Sequence, residues 1–352
     1  MSSKRFSAQA LREFATDLLD ATGMDNDKSS VIAEVLVEGD LLGHDTHGLQ
    51  LLPLYLADIE KGELATSGQP RIVADLPAAV SWDGNRLPGT WLTAKAVDLA
   101  CERAQTHGTC TVVICRGHHI ACLQAYLKRA TDNGMMLLIA ASAQELQTVA
   151  PHGGRTAVLT PNPIAAGWPT SGDPVMLDVS MSITTNGMVA RLNAEGGRLP
   201  GKWLVDSNGN ATDDPSVMTQ SPPGALLPIG GIEYGHKGYA MALLVEALTM
   251  GLSGHGRAEP IEGWTNETFV QVLNPELFGG RSAFLRQMTW LADACRNAQP
   301  RAEVARVRLP GETGLRKREQ QLRDGVALRT SILHALEPWA SKFAVTIPQP
   351  LQ

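Results

Sequence analysis

Apolar positions recur at helical spacing over residues 7–22, where Leu11, Phe14, Ala15, Leu18 and Leu19 share one face. A second helix follows, with Asp25 and Asn26 as caps and a face of Ile32, Val35, Leu36 and Leu42, and Gly43 is placed to stop it. A third helical pattern runs from about Thr46 to Lys61 and ends at Gly62; Pro53 inside it predicts either a kink or a later start. Near residue 70 the rhythm changes. RIVADLPAAVSWDGN reads as short strands with turns, TWLTAKAVDLACERAQTHG as a helix and TCTVVIC as a β-branched strand. LQAYLKRATDNG is helical and MMLLIAA is a buried strand. Residues 150–235 are rich in Gly, Pro and Asn, with short strands such as VMLDV. GHKGYAMALLVEALTMGLSG reads as a long apolar helix, NETFVQVLNPELF as a strand, and SAFLRQMTWLADACRNA as a helix. PGETGLRKREQQLRDG and TSILHALEPWASKFA add two more helical stretches. The alternation predicts an α/β fold with a mixed layer. Helical segments 1–70 and 310–352 are expected to pack together beside an α/β region at 71–309.

Composition narrows the partners. Among 352 residues, 43% are hydrophobic and 19% charged, as in an ordinary globular protein. The net charge is −6 and no basic run stands out, which argues against nucleic acid and anionic membranes. Arg12, Glu13, Asp17 and Asp20 interrupt the first apolar stretch, so no signal-peptide core is expected. No uninterrupted apolar run reaches about 18 residues, the length of a membrane span. The five cysteines, Cys101, Cys110, Cys115, Cys122 and Cys295, lack paired metal spacing and read as buried free thiols of a cytoplasmic protein.

The chain has no strand–GxGxxG–helix unit, no GxxxxGK[ST] loop and no GxSxG elbow. Its candidate chemistry lies in scattered polar clusters. GHDTHGL sets His44 and His47 three apart, which suits a metal pair, an acid/base, or a helix junction capped by Asp45 or Thr46. An acid/base histidine needs an orienting partner; Thr46 is adjacent, and a distant carboxylate serves better. His118 and His119 sit between a strand and a helix, where backbone amides can hold an anion or simply form a polar turn. Thr160 and Asn162 lie in a proline-punctuated loop suited to a carboxylate. Asp178 ends a buried strand, where a carboxylate needs a partner or caps a turn. His236 and Lys237 open an apolar helix against its dipole, which calls for an anionic partner or for solvent. Glu312 begins a helix after a glycine turn and either caps it or holds a ribose hydroxyl.

Together and in order, GHDTHGLQLLPLYLADIEKGEL, GHHIA, VAPHGG, TPNPIAAGWPT, LDVSMS, LPGKWLVDSNGNATDDP, GALLPIGG, GHKGYAMALLVEAL, LNPELF and LPGE resemble the malate/L-lactate dehydrogenase family of the second type. The likeness runs from about residue 10 to 335 and extends to its hydroxycarboxylate dehydrogenase B branch, which shares the HHI, HKGYA and NPELFG variants. The resemblance implies a non-Rossmann, sulfolactate-dehydrogenase-like fold with a nucleotide-binding mixed sheet, and a homodimer with sites near its interface. It implies an NAD- or NADP-dependent enzyme, NAD preferred, that moves hydride to or from a small 2-hydroxy/2-oxo acid. Residue by residue, it implies His47 as the proton donor/acceptor and Asp178 as its relay partner, with Thr46 where serine is usual. The cofactor contacts it implies are His119, Ile120, Ala121, Val179, Ser180, Met181, Ser182, His236, Lys237, Asn274, Gly311 and Glu312. Thr160 would touch substrate beside His47, and no metal is implied. One departure stands out: many relatives carry Arg four residues after the histidine, and here that position is Leu51. A bidentate carboxylate clamp is lost there, with Arg155 and Arg191 as candidate replacements. Three other readings stay open: a cyclic imino acid as substrate, a metal-dependent hydrolase built on His44, His47 and Asp178, and a nucleotide sensor without turnover.

Overall fold

The computed structural model describes residues 4–261 and 263–351. Its N-terminal part holds a short strand β1 (Lys4–Phe6) and helices α1 (Ala8–Asp20), α2 (Asn26–Leu42) and α3 (Leu52–Glu60). Helix α1 buries the five apolar residues that its spacing places on one face. Gly43 closes α2 in the left-handed conformation, at φ 93°, which glycine adopts without strain. Helix α3 starts later than its apolar pattern, because Pro53 can sit only in a first turn and a single 3₁₀ turn precedes it.

The centre is a seven-stranded sheet. Its strands are β2 (Arg71–Leu76), β3 (Ala79–Asp83), β4 (Thr109–Gly117), β5 (Met136–Ala143), β6 (Ile164–Trp168), β7 (Val175–Val179) and, from later in the chain, β11 (Asn266–Leu273). They lie in the order β2-β3-β4-β11-β5-β6-β7. Only β3 and β4 run parallel. This is a mixed sheet, unlike the parallel sheet of a doubly wound dinucleotide fold. Both faces of its middle are covered. Val112, Ile114, Leu137, Ile139, Val270 and Val272 point into a core with α1, α2, α4 (Gly89–His107) and α5 (Gln124–Thr131). The alternate residues Val113, Ala140 and Phe269 point to a second core on the other face. That core is closed by Ala242 and Val245 of α7 (Gly231–Glu246) and by Val189 of α6 (Asn186–Ala194). The sequence pattern shows no helix at α6; its polar, glycine-rich segment hides the period, and only Val189 is fully buried.

A small sheet, β10-β8-β9, packs beside this second core, built from β8 (Leu204–Val205), β9 (Ala211–Thr212) and β10 (Ala225–Leu226). Helix α8 (Arg281–Arg296) follows β11. The C-terminal segment holds α9 (Glu312–Asp324), β12 (Val326–Leu328) and α10 (Thr330–Phe343). The expected packing of the two chain ends is present. Strands β1 and β12 pair antiparallel, and Leu315, Ile332 and Leu336 join the core of Leu11 and Leu36. Gln321 donates to the last carbonyls of α2, at Asp40 and Leu41 (2.8 and 3.0 Å). No described helix is long and apolar enough to cross a membrane. All five cysteines are free thiols, four of them buried and Cys295 half-buried.

Candidate active site

His47 sits in the turn that follows α2, not on a helix. The turn is wound by His44 N–H donating to Gly39 O (2.9 Å) and His47 N–H donating to His44 O (2.8 Å). Two glycines make its course possible. A Cβ on Gly39 would lie 2.9 Å from the His47 carbonyl oxygen, and one on Gly48 would lie 2.2 Å from the Asp40 carboxylate. Asp40 accepts the Leu49 N–H (2.8 Å), and burial pushes its carboxyl up to about 7. Neither Asp45 nor Thr46 caps α3, as a continuous helix from Thr46 would require. Asp45 pairs instead with Arg329 (2.9 Å) and Lys317 (3.5 Å) of the C-terminal segment. The Thr46 hydroxyl holds His47 Nδ1 at 2.9 Å, which turns Nε2 into the ring nitrogen a ligand can reach.

Strand β4 delivers the next two histidines, and they part company. His118 is buried and its Nε2 meets Asp58 of α3 at 3.1 Å, a pairing that ties the sheet to the N-terminal helices. His119 stacks on His47, with ring centroids 5.9 Å apart. Its Nδ1 accepts the Ala121 N–H (3.2 Å), so the neutral ring carries its proton on Nε2. Tyr55 Oη also lies 3.0 Å from that Nδ1, and Trp264 stands edge-on to the ring at 5.9 Å. Burial, with no carboxylate to offset it and with His47 and His118 near, lowers His119 to about 3. Ala121 has φ 57°, a left-handed conformation that presents its N–H to the imidazole.

Asp178 ends β7 and its Oδ2 accepts the Gln124 N–H at the start of α5 (2.9 Å). The anion at this helix start is therefore the protein's own carboxylate. The Cys122 thiol lies 3.8 Å from the same oxygen, and His44 Nε2 lies 2.7 Å from Gln124 Oε1. Among the described residues no hydrogen bond joins Asp178 to His47. Its charge opposes the downward shift that burial imposes on His47. Thr46, not Asp178, holds the ring's orientation. The hydrolase triad of His44, His47 and Asp178 does not form either: His44 and Asp178 gather with Cys122.

The remaining candidates fall in two groups. Residues 179–182 run beside 227–229, joined by Ile229 N–H to Met181 O (2.9 Å) and Ile183 N–H to Leu227 O (2.9 Å), and α7 begins directly after. Val179 is exposed; Ser180 and Ser182 face each other at 3.2 Å, and Met181 is buried. Thr160 precedes Pro161, whose carbonyl accepts Met181 N–H (2.7 Å). Its hydroxyl is engaged in a buried network, 2.5 Å from Asn162 Oδ1, and Asn162 in turn donates to Glu246 (2.8 Å). His236 and Lys237 are exposed and stand in the second turn of α7, because that helix starts at Gly231, five residues before His236. Gly311 packs on β7, where a Cβ would lie 2.9 Å from Met176 O, and Met176 N–H donates to Pro310 O (3.1 Å). Glu312 pairs with Arg296 through Oε1 (2.6 Å), which lowers its carboxyl, while its Oε2 makes no hydrogen bond and faces Arg306 at 3.7 Å.

Asn274 does not belong here. The β4–β11 register pairs Leu273 with Thr109 and Asn266 with Gly117, so Asn274 lies at the opposite end of the sheet from His119. Its amide is spent on the Glu276 N–H (3.1 Å) and the Ala104 carbonyl (3.3 Å). Tyr55, Trp264, Cys122 and Gln124 join the site without having been picked out in the sequence. Each reads there as an ordinary apolar-face, loop or helix-start residue.

The family model of malate/L-lactate dehydrogenase matches residues 6–337. The chain is 31% identical to L-lactate dehydrogenase of Cupriavidus necator, over 98% of this chain and 99% of that one. It is 30% identical to hydroxycarboxylate dehydrogenase B of Escherichia coli O157:H7, over 93% of this chain and 91% of the relative. The solved structure of sulfolactate dehydrogenase from Methanocaldococcus jannaschii superposes with a TM-score of 0.87 at 25% identity, over 97% of this chain and 98% of that one. This chain belongs to the malate/L-lactate dehydrogenase family.

Proposed function

We propose that the protein is a nicotinamide-dependent oxidoreductase that interconverts a small 2-hydroxy acid and its 2-oxo acid. The observation that carries this is the His47–His119 pair: one imidazole held by a hydroxyl beside a carboxylate, stacked on a second that stays neutral. Such a pair supplies one group able to trade a proton and one fixed N–H donor. His47 gives a proton from Nε2 to the substrate oxygen in reduction and takes it back in oxidation. Burial favours the neutral ring, which takes the proton in oxidation; for reduction the ring first binds a proton from solvent, and the Asp178 charge supports the imidazolium in both directions.

A dinucleotide fits the surroundings. Glu312 Oε2 makes no hydrogen bond, its facing cation Arg306 being 3.7 Å away, so it can accept one from a ribose hydroxyl. Val179, Ser180 and Ser182, with the backbone of Ile120, Ala121 and Met181, would hold it, and Gly311 keeps the turn before Glu312 close to β7. His236 and Lys237 offer cationic or donor groups to its phosphates. When bound, the nicotinamide supplies or removes the hydride. NAD is the preferred form and NADP the alternative.

The substrate carboxylate is assigned to Arg191. Leu51 leaves no cation one turn after His47, and Arg155 is engaged elsewhere, donating to Ser207 O (3.0 Å). A Cβ on Gly187 of α6 would lie 3.5 Å from the Thr46 methyl, and Arg191 follows one helical turn later on that face. Thr160 contributes to the substrate side through its place beside Met181. The chain acts as a homodimer: Ile232, Tyr234, Met241, Leu243 and Leu244 of α7 are large apolar side chains left exposed, on the helix that carries His236 and Lys237. The direct test is a panel of aliphatic and aromatic 2-oxo acids and a cyclic imine, assayed at 340 nm with NADH and NADPH. Oxidation of NADH by at least one 2-oxo acid is expected. Turnover of the imine alone would replace the substrate class, and no turnover with any member would remove the proposal.

A further inference from the structure

Of the cluster His44, Cys122 and Asp178, the chemistry above uses only the charge of Asp178. One donor atom from each lies within 4.8 Å of the other two. The Cys122 sulfur and an Asp178 oxygen are already 3.8 Å apart. Donors on a tetrahedral zinc ion, at about 2.3 Å for sulfur and about 2.0 Å for nitrogen or oxygen, lie roughly 3.3–3.8 Å from one another. Small side-chain rotations therefore close the set. Gln124 Oε1 can only accept, so His44 Nε2 donates to it and the lone pair stays on Nδ1. Metal-bound imidazoles are commonly steadied in this way through their second nitrogen. A thiolate and a carboxylate together neutralise a divalent cation, and Cys, His and Asp form a donor set that selects zinc over magnesium or calcium.

From this we infer that His44, Cys122 and Asp178 form a divalent zinc-class site at the edge of the cleft, with an open fourth position. His44 and Asp178 are half-buried and Cys122 is buried. Occupancy engages the carboxylate that supports protonated His47, so the bound ion is inhibitory. The site leaves His47 outside its ligand set, which separates it from a hydrolytic metal centre.

The test is a cobalt titration of the full-length protein in a thiol-free reductant. One equivalent of Co²⁺ is expected to give a near-ultraviolet thiolate charge-transfer band and tetrahedral bands in the visible, both erased by one equivalent of Zn²⁺. Cys122→Ser should abolish the charge-transfer band, and His44→Gln should weaken cobalt binding at least tenfold. Circular dichroism checks the fold of each variant, and if Cys122→Ser does not fold, His44→Gln decides. Absence of the band in the wild type, its survival in folded Cys122→Ser, or unchanged affinity in His44→Gln would each overturn the site. None of these readouts depends on the oxidoreductase activity.

Discussion

Two turns of the molecule bring an imidazole into the same stacked pair, and their environments act on the two rings differently. The turn after α2 holds His47 between the Thr46 hydroxyl and the charge of Asp178, which opposes the effect of burial. The turn after β4 holds His119 among Tyr55, Trp264 and the Ala121 N–H, with no carboxylate in contact, and its ring falls to about 3. On the function proposed above, the same side chain is a proton carrier in one place and a neutral donor in the other. A nearby negative charge makes the difference, since both rings are desolvated.

The comparison breaks most visibly at His47. His47→Ala should lower kcat by roughly 10²–10⁴ while NADH binding, followed by fluorescence, stays close to wild type; unchanged turnover removes the residue from the mechanism. Arg191→Ala should raise KM for the 2-oxo acid about 10- to 100-fold, the loss of one charge-assisted contact, with a smaller effect on kcat. Gly48→Ala tests the support of the His47 turn. Its methyl would meet the Asp40 carboxylate, so a loss of about 1–3 kcal/mol in urea unfolding is expected, with reduced turnover from a displaced His47.

The smallest effect sharpens the contrast in pH. Unfolded, His119 takes a proton near its ordinary value of about 6.5; folded, it refuses one until about 3. Stability contributed by this ring is full above about 6.5 and is lost as pH falls toward 3. Asp40 has the opposite sign. Its folded carboxyl keeps a proton up to about 7 that the unfolded chain releases near 3.8, so its contribution is lost as pH rises between those values. His119→Gln should therefore flatten the acid side of the stability profile, read as urea midpoints between pH 4 and 7, and leave the neutral side alone.

Much of this was legible along the chain. The helical face of Leu11, Phe14, Leu18 and Leu19 and the strands TCTVVIC and MMLLIAA declare themselves because their apolar periods match helix and strand geometry. Helix α6 did not, since it buries little and so carries little period. The ordered motifs also pointed to the family and to His47, Asp178 and Glu312 as candidates. Asn274 lies at the far end of the sheet from His119, because a motif's position in the chain says nothing about which end of a strand it falls on.

By itself the sequence determined every helix but α6, most strands of the central sheet, the mixed α/β character and the family, because local periodicity and ordered motifs survive without coordinates. Only the tertiary structure decided which side chains meet. It stacked His119 on His47 across a gap of 72 in the numbering, gave Thr46 the orienting bond, and drew Cys122 and His44 to Asp178. Those contacts arise where α2, β4 and β7 end together, and the pKa of a buried ring or carboxyl depends on such neighbours rather than on the residues beside it in the chain.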